Sequence, residues 1–241
     1  MKYTGKIALL VVCLGALGAG LMLLGARTGL WEPITGFGLY RTYFNPLAMI
    51  VTAVGLFAVI VHAMRKEKSG IIAGGIAVLF GVLCLIPMVS GAINPQKRAA
   101  PIHDISTDTA NPPLFETLDD TRAGAKNTLV YAGPELAQAQ AAAYPDIAPL
   151  DTDLTVDAAF QHALTVAQDM GWEIVSSDQD RRRFEATART TVFYFADDVV
   201  IVVTPQGDGS RVDMRSVSRV GRSDQGLNAA RIRAFQQAFG A

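Results

Sequence analysis

Three long runs free of Asp, Glu, Lys and Arg constrain this chain more than anything else in it: Ile7–Ala26, Pro46–Met64 and Ile71–Ser90. A helix rises about 1.5 Å per residue, so about 20 apolar residues cross the roughly 30 Å hydrocarbon core of a bilayer. The chain is 50% hydrophobic and its mean hydropathy is +0.28. That excess sits in residues 1–96, whereas residues 97–241 have the composition and length of a soluble domain able to bury its own core. The sequence therefore predicts a membrane protein in two parts. The first is an N-terminal three-helix transmembrane region, residues 1–96, with spans near 7–26, 46–64 and 71–90. The second is an extracytoplasmic α+β domain, residues 134–241, reached through an extended linker or strap at 97–133.

The first run has a rival reading as a cleavable signal peptide. Its length and the two runs after it favour a retained helix. Lys2 and Lys6 precede it, and Arg65-Lys66-Glu67-Lys68 forms a tight basic connection between the second and third runs. The positive-inside rule puts both in the cytoplasm and the C-terminal domain outside, which in a bacterium is the periplasm. Arg27, Arg41, Lys97 and Arg98 on the other side temper that bias. The expected location is the inner membrane, multi-pass.

Between the first two runs, Arg27–Asn45 reads as a loop carrying Trp31, Phe37, Tyr40, Tyr43 and Phe44. An interfacial aromatic belt explains it better than a ligand pocket. Small residues at Gly15/Ala19, Ala16/Gly20 and Gly74/Gly75 permit close helix packing. No charge lies mid-span, and His62 is near the cytoplasmic end. Channels and ion-coupled transporters usually carry intramembrane charge, so the spans read as an anchor. The two cysteines, Cys13 and Cys84, lie in the apolar runs, which leaves the C-terminal domain without a disulfide, a thiol nucleophile or a cysteine metal site.

Charge is uneven across the C-terminal half. Lys97–Asp180 holds 4 Lys/Arg against 14 Asp/Glu, and Arg181 to the end holds 10 against 6. The acidic stretch can simply cover the basic one; the asymmetry can also mark a partner surface. A net acidic domain in this location is not a nucleic-acid binder. Within the Pro-, Asp- and Thr-rich 91–126, His103 stands beside Asp104, with Ser106 and Asp108 close by. That string is either an acid–base pair or a polar loop of turn-forming side chains, and the second is the commoner case.

Helices are expected at Pro134–Ala143 and Thr155–Met170; the latter carries one apolar stripe (Val156, Ala159, Phe160, Ala163, Leu164, Ala167, Met170) and ends at Gly171. His162 falls on its polar side. Four strands follow at Trp172–Ser177, Arg183–Thr190, Val199–Thr204 and Arg211–Val217, joined by short turns and hence antiparallel. Phe184, Ala186, Ala188, Val212, Met214 and Ser216 point inward; Glu185, Thr187, Arg189, Arg211, Asp213 and Arg215 point outward. A last helix, Ala229–Phe239, is expected to be capped by Asn228 and stapled by Leu227 and Ile232, with Ile232, Phe235 and Phe239 in the core. Helices then pack on one face of an antiparallel sheet.

Arginine and glycine concentrate in Arg215–Phe235. Ser218, Arg219, Gly221, Arg222, Ser223, Asp224, Gly226, Asn228 and Arg231 form the candidate ligand site: backbone N–H groups, a helix N-terminus and guanidinium groups suited to an anion such as a lipid headgroup or a cell-wall phosphate. A purely structural reading stands beside it. The serines, Asp224 and Asn228 satisfy the backbone of a tight turn, and the arginines pair with Asp213, Asp224 or Asp197.

Ser218-Arg219-Val220-Gly221-Arg222-Ser223-Asp224-Gln225-Gly226-Leu227-Asn228, with Arg231-Ile232 after it, resembles the C-terminal signature of the domain of unknown function 1499 family. Pro101–Asp108, Tyr144-Pro145-Asp146-Ile147 and Gly171-Trp172-Glu173-Ile174 are similar to its earlier segments. The resemblance covers roughly residues 100–239, and N-terminal spans are similar to those of bacterial members. It implies the architecture and carries no activity.

The expected function is a membrane-anchored envelope domain that binds or scaffolds without catalysis, its partners the bilayer, lipid headgroups or other envelope proteins. The alternative is a hydrolase using Ser223 or Ser218 with His103 and an Asp. Nucleophile elbow, P-loop, dinucleotide fingerprint and metal-ligand run are missing from the sequence. No cofactor and no metal are implied.

Overall fold

The computed structural model describes residues 3–95 and 99–240. Lys2, Lys97 and Arg98, counted above as flanking charges, lie outside the described residues. The chain divides into two compact units. One is built on the N-terminal helices together with Thr191–Tyr194; the other is the rest of the C-terminal half.

The first unit has three helices, α1 (Thr4–Leu24), α2 (Pro33–Met64) and α3 (Lys68–Ile93), each long and apolar enough to cross a membrane. The expected Arg27–Asn45 loop is the main difference from the sequence reading. Pro33 opens α2 at its first turn, where a missing N–H costs nothing, and the helix runs through Pro46. Its 32 residues measure about 48 Å at 1.5 Å per residue, well beyond a bilayer core. Phe37, Tyr40, Tyr43 and Phe44 are therefore helical, and only Gly25–Glu32 connects α1 to α2.

Small residues set the helix spacing. A Cβ on Gly55 would stand 2.7 Å from the Val78 N and 2.8 Å from the Gly74 O, so α2 and α3 meet backbone to backbone there. Gly15 lies against Val51 and Phe80. Of the pairs read from sequence, Gly15, Ala19 and Gly74 are in the packing, while Ala16 is exposed and a Cβ on Gly20 or Gly75 would meet nothing. His62 is buried at one end of α2, hydrogen-bonded to Thr4 Oγ1 at 2.7 Å and Glu67 Oε2 at 2.5 Å.

The second unit is an α+β domain. Its described strands are β1 (Asp104–Ser106), β2 (Leu150–Thr152), β3 (Glu173–Asp178), β4 (Arg183–Arg189), β5 (Ala196–Gln206) and β6 (Gly209–Ser218). They form one antiparallel sheet ordered β1-β6-β5-β4-β3. β5 pairs with β6 along its whole length, and β1 and β2 share its other edge, at Arg215–Val217 and Ser210–Val212. Helices α4 (Pro134–Ala143), α5 (Val156–Asp169) and α6 (Leu227–Phe239) complete the domain. Of the expected stripe of α5, Ala159, Phe160, Ala163 and Ala167 are buried and Val156, Leu164 and Met170 partly so; Thr155 Oγ1 caps the helix, and Gly171 takes the left-handed conformation after it, with φ +75°. α5 and α6 cover one face of the sheet. Phe160, Phe184, Val199, Ile201, Met214, Ile232 and Phe235 make that core, and Phe235 stacks on Trp172 at 5.6 Å.

The opposite face corrects the sequence reading. Glu185, Thr187 and Arg215 alternate as expected, away from the helices, yet all three are buried. Residues 107–131, assigned from sequence to a linker, lie across them as an irregular strap, and β1 just before it is part of the sheet. The strap is held by charge. Glu185 accepts N–H bonds from Glu116, Thr117 and Leu118, three successive backbone donors converging on one carboxylate. Asp198 accepts Arg122 Nε at 2.5 Å, and Arg215 donates to Asp104 and to the carbonyls of Pro113 and Leu129. The charge gradient of the sequence is explained by pairing: Asp104 with Arg215, Asp108 with Arg211, Glu116 with Arg181 and Arg183, Asp146 with Arg233 and Asp157 with Arg182.

Candidate functional site

The turn from β6 to α6 is assembled by its own side chains. β6 ends at Ser218, whose N–H donates to the His103 carbonyl. Ser218 Oγ accepts a bond from Asn228 Nδ2 at 3.0 Å. Arg219 turns back over the sheet, donating to both oxygens of Asp198, to Thr187 Oγ1 and to the Ala123 carbonyl. Gly221 has φ +94°, a left-handed conformation that glycine adopts without a steric penalty. Asn127, from the strap, donates from Nδ2 to the carbonyls of Ser218 and Gly221 and so ties the turn down.

The start of α6 differs from expectation. Gly226, with φ +85°, precedes the helix, and Asn228 lies inside its first turn. Asp224 does the capping: Oδ1 accepts the Gly226 N–H and Oδ2 the Asn228 N–H, both at 2.7 Å. Burial pushes the Asp224 carboxyl above the usual carboxylate range, against the two N–H bonds that lower it. Leu227 is exposed, so the staple with Ile232 does not form. Asn228 is fully buried and joins three elements through Ser216 Oγ, Ser218 Oγ and the His103 carbonyl. Arg231 donates to Ser216 Oγ, to Asn228 Oδ1 and to Asp197 Oδ2.

The nine candidate residues are thus adjacent, and the polar side chains of all but Arg222 are turned on partners within the domain. The N–H groups of Gly226 and Asn228, where an anion would sit at a helix N-terminus, hold the Asp224 carboxylate. Arg231 pairs with Asp197, one of the partners anticipated from sequence; Arg219 pairs with Asp198, which was not. Ser223 donates to the Ala100 carbonyl. Arg222 stands apart: it is exposed and has no ion pair among the described residues.

His103 and Asp104 do not act as a pair. His103 reaches the turn through its carbonyl, its ring makes no hydrogen bond among the described residues, and Asp104 is bound to Arg215. His162 contacts the C-terminal helix, its Nε2 3.1 Å from the Phe239 carbonyl. Among the described residues no group of three or more His, Cys, Asp or Glu is placed to hold a metal.

Sequence reasoning missed Asp198, Glu185, Asn127 and Arg122, which come from distant segments and carry no local signature. It also missed a cleft of about 330 Å³ on the strap side of the sheet, lined by Asp108, Asn111, Thr204, Gln206, Arg211 and Asp213 with Val202 and Pro113.

Among curated proteins, none matches the chain. Residues 104–239, more than half of the chain, match the model of a family described as a protein of unknown function, DUF1499. The matched range opens with β1 and closes with α6, so it takes in the sheet, the strap and the candidate turn. On that match the chain belongs to the DUF1499 family, in a form with three apolar helices ahead of the family domain.

Proposed function

We propose that this protein is an envelope component anchored by its three helices, with the DUF1499 domain outside the membrane, in the periplasm of a bacterium, where it binds or scaffolds rather than catalyses. One observation carries the reading: the polar groups of the 218–231 turn, Arg222 excepted, close on partners within the domain. A catalytic serine needs a base within hydrogen-bond reach. Ser218 Oγ is paired with Asn228, and the His103 ring is bonded to neither Ser218 nor Ser223. The turn therefore supports a rigid element better than a nucleophile.

Arg222 is what the turn offers a partner. Its guanidinium suits a phosphate group, whether of a lipid headgroup or a cell-wall polymer. The test uses full-length protein in neutral nanodiscs, titrated with inorganic phosphate and with vesicles containing anionic phospholipid. Weaker binding by Arg222→Ala supports the anion reading, and the two probes separate free phosphate from a lipid surface. Unchanged binding removes that reading and leaves a scaffold. A reporter fused after Ala241 that is active only in the cytoplasm overturns the orientation.

A further inference from the structure

We propose that the cleft on the strap side of the sheet binds an uncharged polyhydroxylated ligand, a saccharide. The cleft lies at the end of β6 remote from the candidate turn; Arg211 and Ser218 are seven positions apart, about 23 Å along a strand. Its floor is fixed by register. Val202 pairs with Asp213 and Thr204 with Arg211, so these four share the face opposite the helix-packed core. The strap raises one wall with Asp108, Asn111 and Pro113. The volume, about 330 Å³, falls at the low end of the roughly 300–1,000 Å³ typical of small-molecule sites.

The polar groups are held in place before any ligand arrives. Asp108 Oδ1 accepts the N–H groups of Ala110 and Asn111, and its Oδ2 accepts Arg211 Nη2. Asp213 Oδ1 accepts Thr107 Oγ1, and its Oδ2 accepts Arg211 Nε. Each Asp213 oxygen retains a lone pair, and Arg211 retains the N–H groups of Nη1. Acceptor and donor therefore stand side by side, as two neighbouring hydroxyls require, since each hydroxyl both donates and accepts. The side chains of Asn111, Thr204 and Gln206 make no hydrogen bond among the described residues and add further donors and acceptors at the rim. Val202, partly exposed beside the buried Pro113, supplies apolar surface for the C–H face of a sugar ring.

Charge selects the ligand class. Two carboxylates against one guanidinium leave the cleft net negative, and that guanidinium is already bound to both, so phosphate and carboxylate ligands are disfavoured. A cationic amine satisfies the carboxylates but leaves the donors of Arg211, Asn111 and Gln206 unanswered. A neutral polyol answers both.

The experiment uses the full-length protein in nanodiscs, with maltotriose and tri-N-acetylglucosamine as neutral probes and glucose 6-phosphate as the charged control, followed by calorimetry or saturation-transfer NMR. The expected result is millimolar or tighter binding of a neutral probe. Asn111→Ala combined with Gln206→Ala weakens it about tenfold, and Thr204→Trp, which fills the cleft from an exposed strand position, abolishes it. Arg222→Ala leaves it unchanged, which keeps this site separate from the anion reading of the turn. Absence of binding by both neutral probes, preference for the phosphorylated sugar, or binding indifferent to Thr204→Trp overturns the proposal.

Discussion

Arg215 and Asp104 meet through two parallel hydrogen bonds, Nε to Oδ1 at 2.9 Å and Nη2 to Oδ2 at 2.7 Å, and Arg215 has no exposed surface at all. The rings of Phe115 and Tyr131 flank the guanidinium, with centroids 5.5 and 5.2 Å away. Removing one member of a buried pair strands the other charge and costs about 3–5 kcal/mol. Arg215→Met, which also strips donors from the Pro113 and Leu129 carbonyls, is expected to destabilise by that amount. Arg215→Met with Asp104→Leu is expected to be milder than Arg215→Met alone. Urea unfolding of the three proteins, followed by tryptophan fluorescence, checks the order.

Asp224 gives a prediction with a sign in pH. Burial raises its carboxyl, so between the unfolded value of about 3.9 and the folded value the folded chain holds a proton that the unfolded chain has lost. The contribution of this group to stability is therefore fully present at low pH and is lost as pH rises through the folded value. Asp224→Asn does not titrate and gives up one of the two N–H acceptors, at a cost of about 1 kcal/mol. Parent minus variant stability is expected to be larger at pH 4 than at pH 7. Taking the difference cancels the carboxylates common to both proteins. A gap that widens toward pH 7 contradicts the assignment.

Arg219 and Arg222, three residues apart, are expected to behave oppositely. Arg219→Ala leaves Asp198, which has no exposed surface, to Arg122 and Thr187 alone, and about 1–3 kcal/mol of stability is lost. Arg222→Ala removes an exposed side chain with no ion pair among the described residues and changes stability by no more than about 0.5 kcal/mol. Equal effects in thermal melts count against the description of the turn.

Glycines in the membrane helices separate into two classes. Gly55→Ala drives a methyl into the backbone of α3 at 2.7 Å, and Gly70→Ala places one 2.1 Å from the His62 ring. Each is expected to cost about 1–3 kcal/mol by overpacking. At Gly20 and Gly75 a methyl meets nothing, and alanine there is expected to be silent. Midpoints of thermal unfolding in mild detergent distinguish the classes.

The spans, α4, α5 and β3 to β6 were legible because apolar length and apolar period are local properties of a sequence. Phe184, Ala186 and Ala188 alternate, and they are buried as alternation requires. Glu185 and Arg215 alternate equally well, and there the inference from polarity to exposure failed. A charged residue is buried where a partner from another segment meets it, and Leu118 N–H, Arg122 and Asp104 are 67 to 111 residues distant from theirs. The sequence reads the strap as an extended segment, but its course across the buried charges of the sheet escaped notice for the same reason. Its backbone groups are satisfied by carboxylates rather than by a helix or a ladder, so it has no period to read. In the turn, the density of arginine and glycine correctly marked a special conformation. Whether those arginines faced outward or inward depended on Asp197 and Asp198, on a strand more than twenty residues away.

The central position of β6 bears on how the domain is made. β1, β2 and β5 all attach to it, and the Arg215–Asp104 pair closes a loop of 111 residues. Nothing synthesised before Gly209 can complete the sheet, since β1 and β2 have no strand partner among the described residues other than β6. β3, β4 and β5 pair as successive neighbours, whereas joining β1 and β2 to them requires β6, a closure slow in the manner of folds dominated by distant contacts. Loss of β6 takes away the strand that three others need, and leaves the β3-β4-β5 ladder with an open edge along β5.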